Sequence, residues 1–387
     1  MNTQKLLIFS AFSFFLASFS YADPVQEEKG ANVSETIIHH ILDSHDWHLT
    51  DWPVTDAQGK TTYKPIGLHL PWFFYSSKDG WVFAPNTEGL PQRGYVAYHE
   101  HLYALNGGAA SLDEHGAPTA HSEAEWESWK TAHVNDAVSI YDFSITRTSL
   151  QMLLVGILMI WVFISLAKSY TRRAGQAPKG LQSMLEPIIL FVRDDIVKEY
   201  IPRNPQKFTP YFLTLFFFIW FSNLAGLTPL NSNIMGNISV TAALAIFTFI
   251  MVQANGTKDY WRHIFAMPGV PIGVVPVMTI IEIVSLFVKP FALAIRLFAN
   301  ITAGHFMILS LISLIFIMGK GGTSVGGAFG IMPISILFTI AIFCLEMIVA
   351  IIQAYIFTLL SAVFLGMAME SHDHHDAAHA HAEEHHH

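Results

Sequence analysis

From residue 145 onward the chain is a series of long apolar runs divided by short polar, basic segments. Ile145 to Leu166 is long enough to span a bilayer, and Phe208 to Leu227 and Asn237 to Ala254 follow it. The next run, Gly273 to Met318, has 46 residues. As a helix it would measure about 69 Å at 1.5 Å per residue, against a hydrocarbon core of about 30 Å. Met332 to Met369 is similarly long. A hairpin of two spans needs a polar turn, and neither run has one. Each is therefore expected to be a single, steeply tilted helix, with Pro276 and Pro290 allowing bends. Between the first two spans, Leu181, Leu185, Ile188, Val192 and Ile196 fall on one helical face. Gln182, Glu186, Arg193 and Lys198 lie away from it. That pattern predicts an amphipathic helix from Pro178 to about Tyr200, lying on the membrane surface or packed on a partner. The pattern as a whole predicts an all-α polytopic membrane protein with five membrane-crossing helices, the last two long and tilted, plus one surface helix.

The first 142 residues read differently. Residues 1–22 have the form of a signal peptide, with Lys5, an apolar core from Leu6 to Phe19, and Ser20-Tyr21-Ala22 at a cleavage site. Residues 23–142 are polar, acidic and aromatic, with no run of about 18 apolar residues. They predict an extracytoplasmic soluble domain whose fold class stays open. Pro53, Pro65, Pro71, Pro85 and Pro91 cut it into short pieces. Trp81-Val82-Phe83 and Tyr95 to Tyr98 read as hairpin strands, and Val33 to Leu42 as a short helix capped by Asn32 or Ser34. Residues 143–370 form the membrane domain. Residues 371–387 are rich in His and acid and read as a disordered tail.

Charge sets the orientation. Ten Lys and Arg lie in 168–207 and 255–271, against Lys320 alone in 229–236 and 319–327. By the positive-inside tendency the N-terminal domain is outside and the C-terminus inside. The composition, 52% hydrophobic and 13% charged, is that of a membrane protein, and a net charge of −9 argues against nucleic-acid binding. The single cysteine, Cys344, excludes an intrachain disulfide. The histidines of the first domain, such as His39-His40, show no ligand spacing, so no metal or cofactor is expected.

The candidate chemistry centres on Arg296. From Phe291 to Met318 it is the only side chain that must carry charge. An arginine at mid-bilayer costs about 2.5–3.5 kcal/mol on insertion scales, and it cannot shed its proton. It needs a partner or a water-filled cavity. Glu282, Lys289 and Arg296 are spaced seven apart and Asn300 follows four later, so all four share one helix face. His305 lies one helical step off that stripe. Glu346 and Gln353, again seven apart, form a second stripe on the last run. The two stripes are expected to face each other or a shared partner, and carboxylates, imidazole and amides so spaced can relay protons. Residue types alone leave two alternatives open, an anion transporter built on Arg296 and a scaffold in which the polar groups only pack.

The run Ile-Arg-Leu-Phe-Ala-Asn-Ile-Thr-Ala-Gly-His at 295–305, followed by Ile-Ile-Gln-Ala-Tyr-Ile-Phe at 351–357, closely resembles subunit a of bacterial F-type ATP synthases. The resemblance covers about 146–370. It implies a non-catalytic stator channel that passes protons to the rotor c-ring through two offset half-channels, in the inner membrane, with the first domain in the periplasm. It implies the c-ring, peripheral-stalk subunit b and membrane lipid as partners. Arg296 then matches the barrier charge between the half-channels. Asn300, His305, Glu346 and Gln353 match the outer path, Glu282 the inner one, and Lys289-Pro290 fits the family pattern. Many bacterial members carry an acid where His305 stands and a histidine where Glu346 stands; here the pair is exchanged, as in mitochondrial members.

Overall fold

A computed structural model describes residues 46–55, 61–98, 101–106, 112, 118, 123–173, 175–228, 233–265, 273–318 and 325–370. The signal segment 1–22, the expected helix Val33–Leu42 and the tail 371–387 lie outside the described residues. The chain divides into two compact units, one running to Leu154 and one built mainly from Val155–Leu227, Asn233–Ile315 and the residues from Phe329 on.

In the first unit, β1 (Asp46–Thr55) and β2 (Thr61–His69) pair as an antiparallel hairpin. β3 (Trp72–Ser76) pairs with β4 (Gly80–Ala84), which contains the expected Trp81-Val82-Phe83 strand. The tight return between them ends on Gly80 at φ +73°, a conformation that favours glycine. β5 (Tyr95–Tyr98) and β6 (His101–Ala104) form the second expected hairpin. After helix α1 (Glu123–His133), the short strand β7 (Ile140–Asp142) adds to the free edge of β3, giving the order β4–β3–β7. Strand alternation does what a period of two requires. Trp72, Phe74, Val82 and Ala84 point inward and pack with Leu90, Tyr95 and Ala104. A second cluster of Val96, Leu105, Trp126, Trp129 and Val134 holds α1. The Tyr95 hydroxyl donates to Asp79 Oδ2 at 2.7 Å, so this buried phenol is hydrogen-bonded.

The second unit is helical, its first helix beginning in the last residues of the first unit. Among the described residues four helices are long and apolar enough to cross a membrane. They are α2 (Arg147–Arg172), α4 (Pro205–Gly226), α7 (Val275–Met318) and α8 (Val325–Met369). Between α2 and α4 lies α3 (Leu181–Phe191), and between α4 and α7 lie α5 (Ile238–Ala254) and α6 (Lys258–Phe265). A fifth span results if α5 and α6, bent by 104° at their junction, count as one. Asn237 caps α5 by accepting from the Ser239 amide at 2.9 Å.

The two last runs are single helices of 44 and 45 residues, as expected from the missing polar turns. At 1.5 Å per residue each measures about 65–70 Å, twice the hydrocarbon thickness. Pro276 sits in the first turn of α7, where a missing N–H costs nothing, and only Pro290 is internal. α8 begins at Val325 rather than Met332, because the helix continues through Gly326, Gly327 and Gly330.

The amphipathic stretch differs from its pattern in two ways. α3 passes directly into a π-helical segment, Val192–Lys198. Its apolar side chains Leu185, Val192, Ile196 and Val197 join one core with Phe212, Phe216, Phe357 and Leu365. That face is covered by the chain's own helices. Gln182, placed on the polar side by a 3.6-residue period, is only 5% exposed and donates its amide to Glu186 Oε2 at 3.4 Å. The wider π turn also brings Val197 inward beside Ile196, which a uniform helix would not do. Arg193 and Lys198 keep to the outside and both pair with Asp194, at 2.7 and 2.6 Å.

Small side chains set how closely these helices approach. On α8, Ala350, Ala354, Ser361, Ala362 and Ala368 are buried. Asn223 of α4 donates to the Ala350 carbonyl at 3.2 Å, a polar tie between two apolar helices. At Gly366 a β-carbon would run into the backbone carbonyl of Tyr200.

Candidate functional site

Packing decides which faces of α7 are available. Leu293, Leu297 and Ile301 are buried and pin one side of the helix in the core. Arg296 projects from the open side, flanked within one turn by Ala292, Ala299 and Asn300 and two turns on by Ala303, all exposed. Among the described residues Arg296 makes no hydrogen bond or ion pair. The partner that its charge requires is therefore not supplied by the chain's own described side chains.

On one side of Arg296 the two polar stripes meet. Asn300 Nδ2 donates to Gln353 Oε1 at 2.8 Å, joining α7 to α8 through a glutamine only 2% exposed. Glu346 lies two turns earlier on α8 and is 6% exposed. Its carboxyl occupies the space where a β-carbon of Gly304 would stand. Residue numbers rise along α7 from 300 to 304 while they fall along α8 from 353 to 346, so the two helices run antiparallel here. Glu346 thus packs on the residue next to His305, itself half-buried. Glu346 Oε2 is buried without a hydrogen-bond partner among the described residues. A buried carboxyl oxygen left open in this way is costly as structure and useful as a proton acceptor.

On the other side of Arg296, Glu282 and Lys289 line a cavity of about 980 Å³ together with Arg203, Gln253, Asp259, Tyr260, His263 and Glu370. Lys289 Nζ stands 5.5 Å over the Phe364 ring, a cation–π contact that holds the ammonium at the wall. The Gln253 amide and the Tyr260 hydroxyl are within 3.3–3.4 Å of each other.

The seven residues singled out from sequence thus separate into three groups. Asn300, Gln353 and Glu346 gather between α7 and α8, and the half-buried His305 follows Gly304 on α7. Glu282 and Lys289 face the cavity beside α5 and α6. Arg296 stands alone between them, about 6 Å along the axis from Asn300 and about 10 Å from Lys289 at 1.5 Å per residue. Heptad spacing along the chain does not mark the α5–α6 residues of the cavity. The only signal there was a short basic and aromatic segment, which by itself spoke for orientation. Nor does spacing mark Gly304, whose importance lies in a side chain from another helix. Among the described residues no group of three or more His, Cys, Asp or Glu could hold a metal ion.

Comparison with known proteins covers both parts of the chain. The family model of the ATP synthase A chain matches residues 149–366. A domain of unknown function matches residues 36–127. ATP synthase subunit a of Chloroherpeton thalassium is 42% identical over 250 residues, covering 63% of this chain and 72% of that one. ATP synthase subunit a 2 of Chlorobaculum tepidum is 38% identical over 305 residues, 76% of this chain and 82% of that one. ATP synthase subunit a of Anaeromyxobacter dehalogenans is 39% identical over 268 residues, with 67% and 66% covered. With more than half of its length matched by one family model, and relatives aligned over more than two thirds of theirs, the chain belongs to the ATP synthase A chain family.

Proposed function

We propose that this membrane subunit is the stator channel of a bacterial proton-driven ATP synthase, with five crossings, the first domain in the periplasm and the C-terminus in the cytoplasm of an inner-membrane complex. The c-ring and peripheral-stalk subunit b are its protein partners. Like other members of its family it is non-catalytic: it moves ions and forms no covalent bond.

The observation that carries this reading is Arg296, an exposed guanidinium with no hydrogen bond or ion pair among the described residues, set between two polar clusters. The small side chains around it let a partner helix come close. A rotor carboxylate arriving there meets a fixed positive charge, which favours its ionised form. Protons from outside pass Glu346, His305, Gln353 and Asn300 and neutralise the rotor carboxylate on one side of Arg296. They leave by the cavity holding Glu282 and Lys289 on the other side. The arginine repels a proton that would cross directly between the two paths. Each elementary charge crossing 100 mV releases about 2.3 kcal/mol, which rotates the ring.

Membrane vesicles carrying Arg296→Ala test the reading. They should assemble the complex, make no ATP from an imposed proton gradient, and leak protons at least as fast as wild type. Arg296→Lys keeps the charge but loses the planar fork, and should also fail at synthesis with less leak. Near-wild-type synthesis in the alanine variant would overturn the proposal. Loss of anion uptake with synthesis intact would instead identify a transporter.

A further inference from the structure

The β4–β3–β7 sheet has two faces, and the outer one is not what a soluble domain presents to water. Strand register arranges its outward side chains in two rows of three. Phe73 opposes Phe83, and the Phe143 amide donates to the Phe73 carbonyl at 3.0 Å, making a row of phenylalanines. Tyr75 opposes both Trp81 and Tyr141, making a row of rings with polar tips. All six are 40–61% exposed. The rings are ordered against each other: Phe73 stacks on Trp81 at 4.9 Å, and Trp81 meets Tyr75 and Phe143 at 5.4 and 5.6 Å. Six contiguous exposed aromatics on one sheet face mark an interaction surface.

The chain itself says what lies beside it. β7 leads into α2, the first membrane span, and there is almost no slack between them. Ser144 is still tied to the sheet, because its hydroxyl accepts from the Phe73 amide at 2.9 Å and its amide donates to Asp142 Oδ1 at 2.8 Å. Only Ile145 and Thr146 then separate the sheet from Arg147, where α2 begins. Two extended residues reach about 7 Å at most. The phenylalanine row is the one nearer the span, since the chain runs from Tyr141 through Phe143 to Arg147. The tyrosine–tryptophan row lies two residues, about 7 Å, further away. This is the order of polarity met on leaving a bilayer: apolar rings at the acyl boundary, then amphipathic Tyr and Trp rings at the headgroups.

We propose that this sheet face seats on the lipid surface next to the first span, with Phe73, Phe83 and Phe143 reaching the upper acyl region. It orients the extramembrane domain against the bilayer, and it does so independently of the ion path.

Site-directed spin labelling of the assembled synthase in lipid nanodiscs tests this. In a Cys344→Ser background, nitroxides are placed singly at Phe83→Cys, Phe143→Cys, Tyr141→Cys and, as an exposed reference on α1, Ser128→Cys. Accessibility to oxygen, which partitions into lipid, is compared with that to a water-soluble nickel chelate. The expected oxygen-to-nickel ratio is several-fold higher at 83 and 143 than at 128, with 141 between. Ratios at 83 and 143 equal to that at 128 would put the face in water and overturn the proposal. Low accessibility to both reagents at 83 and 143 would also overturn it, in favour of a protein partner. The two labelled strands are independent, so one variant that fails to assemble leaves the other to decide.

Discussion

Replacing Gly304 by alanine tests whether the Glu346 carboxyl must stand where it does. In an ordinary helix interior, glycine to alanine gains about 0.8–1.0 kcal/mol. Here the new β-carbon would lie 2.6 Å from Glu346 Cδ and 2.9 Å from Cγ. Relaxed carbon–carbon contacts are about 3.5–4.0 Å, so the glutamate must retreat by about 1 Å. α8 cannot move away as a whole, because Ala350 and Ala354, one and two turns along, are fully buried. Overpacking of this kind costs about 1–3 kcal/mol. Set against the helix gain, the net change in stability is about 0–2 kcal/mol of loss, and the complex should still assemble. Proton transfer is more sensitive. It needs donors and acceptors within about 2.6–3.2 Å, directly or through one water, and a shift of about 1 Å takes the carboxyl out of that range. ATP-driven acidification of inverted vesicles, read by quenching of a pH-sensitive dye, should fall by about tenfold or more; misplacement by this distance costs up to about 100-fold in enzymes. Adding Glu346→Asp shortens the side chain by one carbon–carbon bond, about 1.5 Å, and should restore part of the rate by relieving the overlap. A Gly304→Ala complex that pumps at the wild-type rate and melts higher would be the contrary result. It would show that glycine is there for no reason connected with Glu346.

Glu346→Gln keeps the shape and removes the titrating proton, so proton uptake should slow and its pH dependence change without loss of assembly; an unchanged pH–rate curve takes Glu346 out of the path. Gly366→Ala should weaken the complex by about 1–3 kcal/mol, because its β-carbon meets the Tyr200 carbonyl and backbone cannot step aside. Gly330→Ala, with nothing within 4 Å of its β-carbon, is the contrasting case and should stabilise by up to about 1 kcal/mol, both read from thermal dissociation of the purified complex. In the first unit, burial first and the Asp79 carboxylate beside it raise the Tyr95 hydroxyl above its ordinary pKa. A group whose pKa is raised by folding stabilises below its unfolded value and loses that contribution as pH climbs through the folded value. Protease resistance of the domain should therefore decline above about pH 10, and Tyr95→Phe, which loses one hydrogen bond worth about 0.5–1.5 kcal/mol, should show a shallower alkaline decline.

Much of this protein is written along the chain itself, and for a physical reason. In a bilayer every backbone group must be satisfied within a helix or closed barrel, so an apolar run without a polar turn has one solution. That is why α7 and α8 are legible as single long helices, and why Trp81 to Phe83 and Tyr95 to Tyr98, alternating and bounded by turn residues, are legible as strands. The cost of burying charge makes Arg296 and its heptad neighbours stand out equally well, since nothing apolar explains them. What the linear pattern could not supply is which side chain meets which across helices. The hydrogen bond from Asn300 to Gln353 joins residues 53 positions apart. The division of one stripe into a buried cluster, an exposed arginine and a cavity wall depends on which faces of α7 the core covers. The burial of Gln182 follows from tertiary packing that a single helical period does not contain. Gly304 shows the limit most plainly: from its own helix it is a weak helix former in an apolar run, and only the arrival of Glu346 from α8 explains why the position has no room for a methyl group.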